Sequence, residues 1–427
     1  MFLQASEMKQ LFFINDTLEN KISYFLISCF LIALPFQHFF SEILLSCFVI
    51  HTLIHVRKKN LRALKNKVIW IIASIFFLSL FTISYSNYVA EGFKETDHQL
   101  AILLFPLCLS LTNLDLEKYK ISLLKIFAFT CTITIVYLYF HAFRVIHYYH
   151  YSWSTIFSKA FLNQNFSSPI DLHPTYLSMY AALSMSTLLY LFFQKPELKN
   201  GKYIILIMIL FAGLIQLSSR SVVIATCIII LIAVPALLLH GKKRWQYSIA
   251  SLLGLFFLFF AITNINALKK RYISDLKDDL NKNAVTPDLT ETRMKRWDLE
   301  LQLISRSPIV GHGGGSEKYL LKKKYFENKF YRSYLVELNA HNQYFSFLIK
   351  AGIIGLLIYL YVLYFSFSKA IKRKEFLFLS FLILISVVSI SENILDVNKG
   401  IFFYSFFLSV FLITGFKEKI NMEKGLG

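Results

Sequence analysis

About twelve apolar runs, separated by polar stretches, dominate the chain. They fall at 22–37, 39–56, 68–86, 98–112, 121–143, 174–193, 203–217, 221–239, 246–263, 343–367, 376–391 and 401–416. A bilayer core takes ~20 apolar residues of helix per crossing, and a helix satisfies its own backbone there. A soluble arrangement is excluded. Of the 427 residues, 56% are apolar, 43 of them Phe, and only 17% are charged, so charge cannot screen that apolar surface from water. Disorder, collagen and coiled coil are excluded by the same composition. The expected fold is an all-α polytopic membrane protein of about 12 transmembrane helices. The runs at 98–112 and 203–217 carry the weakest signal. Cys29, Cys47, Cys108, Cys131 and Cys227 all lie within apolar runs, with no CxxC or Cys/His cluster, which argues against a disulfide framework or a zinc site.

The net charge of +19 would point to nucleic acid in a soluble protein; here it orients the spans. Basic clusters fall at Arg57 to Lys67, at Lys195, Lys199 and Lys202, at Lys242 to Arg244, at Lys369 to Lys374, and at Lys417, Lys419 and Lys424. Twelve spans with a cytoplasmic N-terminus place every one of these in the cytoplasm, and leave the loops 87–97, 144–172 and 392–399 outside, poor in Lys and Arg. The parity turns on 203–239. Read as one helix, it would put Arg220 at the bilayer centre, where an arginine costs ~2.5–3.5 kcal/mol on insertion scales. Two helices joined at the outer face by Ser218-Ser219-Arg220-Ser221 avoid that. The first run follows a long polar start and lacks a cleavage pattern, so it is expected to remain as an anchor. Tyr148 to Trp153 reads as an interfacial aromatic belt.

One long polar segment interrupts the pattern, giving three regions: helices 1–9 in 1–263, a large, mainly helical outer loop in 264–340, and helices 10–12 in 341–427. The loop holds 15 Lys/Arg against 10 Asp/Glu. Within it, Glu291 to Arg306 predicts an amphipathic helix with Met294, Trp297, Leu301 and Ile304 as its apolar stripe and Asp288 and Thr290 as caps. Ser307-Pro308 ends that helix. Gly311 to Ser316 makes a turn; it lacks the Lys-Ser/Thr ending of a phosphate loop.

Arg220, Arg293, Arg296 and Arg306 converge on the outer face, and His341 follows at the end of the loop. Arginine offers a planar fork matched to phosphate oxygens; histidine takes a proton from a hydroxyl near neutral pH. This combination suits a phosphate-handling reaction. A lipid-pyrophosphate donor would bring its own leaving-group energy to a compartment without nucleotides. His173 starts a span beside Pro174, Glu392 faces the aqueous side, and Lys350 lies inside a span, snorkelling or lining a cavity. The reading requires His341 and Arg220 to share one outer pocket.

Four places resemble the O-antigen ligase/polymerase family of bacterial envelope proteins: Ser219-Arg220-Ser221 heading a span; Arg293-Met294-Lys295-Arg296-Trp297 followed by Pro308-Ile309-Val310-Gly311-His312-Gly313; Ala340-His341-Asn342 with Gly352-Ile353-Ile354-Gly355; and Glu392 with Gly400. The resemblance covers about 215–405. His312 and Lys350 depart from it, standing where the family has an apolar residue and an acid.

The resemblance implies a membrane glycosyltransferase of the bacterial inner membrane, multi-pass, with both termini cytoplasmic and the active site periplasmic. It would move a glycan from undecaprenyl pyrophosphate to an acceptor hydroxyl of lipid A-core, without a metal ion or other cofactor. His341 would serve as base or orient the acceptor, and Arg220, with Arg293 as helper, would bind the pyrophosphate and offset charge developing on it. Arg293, Arg296, Asn342, His312, His173 and Glu392 would bind substrate. The expected partners are the lipid-linked donor, a lipid or glycan acceptor and membrane lipids, with no nucleic acid. A polymerase joining lipid-linked repeats shares these motifs. The single dominant loop ending in His-Asn favours the ligase. A lipid-linked glycan transporter or flippase would predict broken helices, internal repeats and charges near mid-membrane; the sequence has no repeat, and its charges gather at the outer face.

Overall fold

The computed structural model describes residues 11–194, 201–281 and 291–424, with side chains as far as Gly415. Lys195, Lys199, Asp288 and Thr290 lie outside the described residues, as do the side chains of Lys417, Lys419 and Lys424. Among the described residues all regular structure is helical, without strands. The main helices are α1 (Leu18–Ala33), α2 (His38–His55), α3 (Lys67–Ile83), α4 (Val89–His98), α5 (Leu100–Leu111), α6 (Leu116–Tyr148), α7 (Pro174–Gln194), α8 (Gly201–Leu217), α9 (Arg220–Leu237), α10 (Gly241–Asn264), α11 (Asp275–Leu280), α12 (Arg293–Arg306), α13 (Ser316–Glu327), α14 (Gln343–Lys372), α15 (Phe376–Val388) and α16 (Asn398–Lys424).

Seven of these, α2, α6, α7, α9, α10, α14 and α16, are long and apolar enough to cross a membrane, and α3, α8 and α15 are shorter apolar helices. The chain is thus a helical, multi-pass membrane protein. The 12 residues of α5 reach ~18 Å, well short of a ~30 Å hydrocarbon core. The segment 87–97, expected as a loop, is instead mostly the polar helix α4. Local chemistry sets several helix starts: Thr17 accepts from the Asn20 N–H, Asn66 from Val68 and Asp115 from Lys118, each satisfying a backbone donor that the first turn leaves free.

Coverage by the protein orders the bundle. α16 and α7 are the most enclosed, with 89% and 78% of their spans buried, and α10 lies wholly outside at 0%. The centre is aromatic: Phe403 and Phe407 of α16 pack on Phe127 of α6 and Phe381 of α15, and Tyr180 of α7 closes over Phe403. All five cysteines are free.

The segment between α10 and α14 builds a small core of its own from Leu299, Leu303, Leu321 and Tyr325, joined by Ala340 and Ile349. The apolar stripe expected on α12 differs from the face it buries. That face carries Arg296, Leu299, Glu300 and Leu303, while Leu301 is exposed. Two charged side chains are turned inward, which an apolarity pattern cannot foresee.

α14 is broken at Gly352, where φ is +62°. The backbone groups freed by the break bond to the glycine turn: His312 and Gly313 N–H donate to the Ile349 and Lys350 carbonyls at 2.8 and 2.9 Å, and Ile353 N–H donates to the Pro308 carbonyl at 2.8 Å. Gly311 and Gly352 pass so closely that a Cβ on either would run into the other strand's backbone. A broken helix is therefore present, against the sequence expectation, but the protein's own loop fills it.

Candidate functional site

The short turn between α8 and α9 places the first arginine. Ser218 takes a left-handed φ of +47°, which ends α8, and Ser219 begins α9 in extended conformation without a side-chain cap. The N-terminal N–H groups of α9 therefore stay open beside Arg220, an arrangement that favours anions. Arg220 Nη2 lies 2.5 Å from Asp279 Oδ2, while its Nη1 is buried and, like the Nε atoms of Arg271 and Arg293 below, has no partner among the described residues.

Arg220 opens on a cavity of about 690 Å³, also lined by Arg271, Lys270, Lys159, Asn163 and Asp279. The sequence reading did not single out Arg271. Its segment is pinned where Tyr272 Oη donates to the Ile215 carbonyl of α8. Arg271 meets Asp275 only at 3.9 Å, and its Nε is buried and unpartnered. Arg293, at the start of α12, likewise keeps a buried, unpartnered Nε. Burial and the neighbouring charge of Arg220 pull both Arg271 and Arg293 below the usual arginine value, against the nearby aspartates. Arg220 and Arg271 line one cavity, and Arg293 feels the charge of Arg220; each keeps a donor to spare, an arrangement suited to an anion with many oxygens.

Polar contacts lead from the histidine to the serine beside Arg220. Ser219 Oγ donates to Thr175 Oγ1 at 3.4 Å, Thr175 Oγ1 donates to Glu392 Oε1 at 3.2 Å, and Glu392 Oε2 lies 3.5 Å from His341 Nδ1. His341 is thus connected through side chains to Ser219, the residue before Arg220, while the Arg220 side chain itself pairs with Asp279. Burial alone would raise the Glu392 carboxyl. The hydrogen bond and charge of His341, with His173 and Arg293, bring it below its ordinary value instead. Glu392 does not simply face water, as the sequence suggested; it is mostly enclosed. His173 Nδ1 accepts the Thr175 N–H at 3.4 Å, and burial pushes His173 below the usual histidine value despite the pull of the Glu392 charge. A carboxylate facing Nδ1 holds the proton there and leaves Nε2 as the basic nitrogen.

His341 itself has φ +46°. A left-handed residue other than glycine costs roughly 1–2 kcal/mol and persists where its surroundings fix it, often at functional sites. Asn342 follows in extended backbone, and its Oδ1 accepts from the Tyr344 and Phe345 N–H groups, capping α14. Its amide oxygen is thus committed to the helix.

Other residues expected here lie apart. Arg306 is exposed at the end of α12. Arg296 turns inward, and its Nη1 donates to the Glu291 carbonyl. The His312 ring bonds the Leu303 carbonyl at 2.9 Å, fixing the glycine turn to α12. Lys350 neither snorkels nor faces the arginines; it is buried among Glu95, Glu317 and Asp396. Among the described residues no group of three His, Cys, Asp or Glu side chains is arranged to hold a metal ion.

Residues 204–360 match the O-antigen ligase family, which bears out the resemblance over that segment and indicates a transferase of the ligase or polymerase type. The matched region contains Arg220, Arg271, Arg293 and His341, and ends before Glu392. No curated protein matches the chain.

Proposed function

We propose, from the match of residues 204–360 to the O-antigen ligase family, that this chain moves a glycan from undecaprenyl pyrophosphate to an acceptor hydroxyl, acting as an O-antigen ligase toward lipid A-core. The hydroxyl oxygen attacks the anomeric carbon of the donor sugar. Its proton passes to Nε2 of His341, and the carbon–oxygen bond to the diphosphate breaks, leaving the electron pair on the leaving group. Glu392 holds the imidazole and stabilises the imidazolium that forms. Arg220, Arg271 and Arg293 offset the charge growing on the diphosphate; donors placed in advance at such a position act strongly on the transition state. His173, kept neutral, accompanies Glu392 without competing for it as a second cation. The step needs no cofactor.

The observation that carries this reading is the run Ser219–Thr175–Glu392–His341, which leads from the residue beside Arg220 to the histidine, with Glu392 also feeling the charge of Arg293. We place the site on the periplasmic side of the inner membrane, with twelve spans, the short α5 counted as one of them, and both termini cytoplasmic; the positive-inside distribution of Lys and Arg supports that placement.

The direct test is His341→Ala, with membrane insertion confirmed and surface polysaccharide compared by gel. Loss of transfer is expected, and unaltered transfer overturns the role. Deleting the gene sorts ligase from polymerase. A ligase leaves every lipid A-core uncapped and unattached polymer accumulating, whereas a polymerase leaves single-repeat caps.

A further inference from the structure

Behind the site, at the break in α14, Lys350 Nζ lies 3.0 Å from Asp396 Oδ1, 3.3 Å from Glu95 Oε2 and 3.4 Å from Glu317 Oε2. These groups come from four separate elements: α14, the loop before α16, α4 and α13. Their charges do not balance, since three carboxylates surround one ammonium. Burial pushes the Glu95 and Asp396 carboxyls up; burial would raise Glu317 too, but Lys350 and the hydrogen bonds it accepts hold it below its usual value. Glu317 is therefore the fixed anion of the knot.

From this knot two arms reach the His341 backbone. Glu317 Oε1 accepts from the Ala340 N–H at 3.0 Å and from Asn393 Nδ2 at 2.9 Å. Asn393 Oδ1 accepts from the Asn342 N–H at 2.8 Å, and its Nδ2 also reaches Asp396 Oδ2 at 2.8 Å. The 339–340 and 341–342 peptides, which bracket residue 341, are thus gripped by side chains anchored on Lys350. The His341 N–H bonds Asn339 Oδ1 at 3.1 Å. Left-handed backbone at a histidine holds only where neighbouring groups determine it, and these are the neighbouring groups. Asn393 is also next in sequence to Glu392, so one residue fixes the base and its carboxylate partner relative to each other.

We propose that Glu317 and Asn393, anchored by Lys350 and Asp396, are positioning residues that hold the 340–342 backbone so that the His341 imidazole stays aligned on Glu392. The proposal rests on the reading of His341 as the proton acceptor. Neither residue touches the arginine cluster, so their effect falls on the chemical step and leaves donor binding alone.

The test uses the purified full chain in nanodiscs with the lipid-linked glycan extracted from the cell that makes it, and an acceptor lipid from the same source. Asn393→Ala should lower kcat about 10²-fold, the scale of a small misplacement of a reacting group, with the donor KM little changed. The same substitution made in a His341→Ala chain should cost nothing further, because a positioning residue acts only through the group it positions. Glu317→Ala should show the same split in kcat. Glu317→Gln, which still accepts the Ala340 N–H, should recover most of the rate. An unchanged kcat in Asn393→Ala overturns the proposal, as does an equal loss with and without His341. If Asn393→Ala fails to insert, or His341→Ala is too slow to measure, the Glu317 pair decides: equal rates for Ala and Gln overturn it. Full transfer by His341→Ala alone would instead overturn the reading of His341 itself.

Discussion

Arg271 meets its nearest carboxylate at 3.9 Å and leaves its Nε buried without a partner. A guanidinium so placed is incomplete until an anion arrives. Arg271→Ala is expected to lower kcat by roughly 10²–10³, the usual cost of removing one transition-state donor, and Arg271→Lys to recover it only in part because the fork is lost. Initial transfer rates check this, with thermal unfolding as the control for folding. The site is also expected to weaken in acid. Glu392, held below its ordinary 4.5, contributes stability that is present above that value and lost as pH falls through the folded value. His173, held below 6.5, resists the proton that the unfolded chain accepts, so its penalty grows as pH falls below 6.5. Both effects run the same way. The thermal midpoint, followed from neutral pH down through 4.5, should decline, and His173→Asn should flatten the upper part of that decline. At this scale residue types and neighbours singled out Arg220, Arg293, His341, His173 and Glu392, and in the structure the charges of His341, His173 and Arg293 all act on Glu392. It was silent on Arg271, one basic residue among many in a polar loop, whose pocket exists only once the loop folds back onto α8. It misplaced His312 and Arg296, because nothing in a one-dimensional pattern distinguishes a ring or guanidinium bound to a carbonyl from one offered to a substrate.

At the scale of elements, the apolar periodicity located the helices of the bundle, and Ser218 to Ser221 marked the break between α8 and α9, because an arginine at the bilayer centre is too costly. α4 was missed for the opposite reason: it is short and polar, and it forms because Gly92 packs against Gly314 and Glu95 reaches Lys350. Contacts between distant segments, absent from local pattern, decided it. The break in α14 was hidden too, since apolar residues continue on both sides of Gly352 and the one charge before it, Lys350, signals no bend. Its geometry gives a sharp prediction. Gly311 and Gly352 hold φ of +68° and +62° and face each other's backbone. Alanine at either should destabilise the protein by at least ~1–2 kcal/mol for the left-handed conformation alone, with the steric conflict added. Gly254 of α10, with nothing within 4 Å of its missing Cβ, should accept alanine without loss. Thermal unfolding of the three variants in detergent separates them.

For the whole molecule, the basic clusters at Arg57 to Lys67, Lys242 to Arg244 and Lys369 to Lys374 set the expected orientation. Alkaline phosphatase joined after Lys329 should be active, and joined after Lys59, Lys243 or Lys372 inactive. Activity at Lys243 would break the twelve-span arrangement. The enclosure of α16 and α7 against the bare flank of α10 was not legible, because lipid-facing and protein-facing apolar residues look alike in a sequence where both sides are greasy.

The glycine turn seated in the gap of α14 makes the segment between α10 and α14 and the bundle one mechanical piece. Two carbonyls of the helix and the amide of Ile353 find their partners only in residues 308–313. Cutting out 265–342 as a soluble fragment, or grafting it onto another bundle, would strand those groups against hydrocarbon, where each lost partner costs several kcal/mol. Any exchange of this segment between related chains has to carry the turn and the broken helix together, since the segment is no interchangeable cassette.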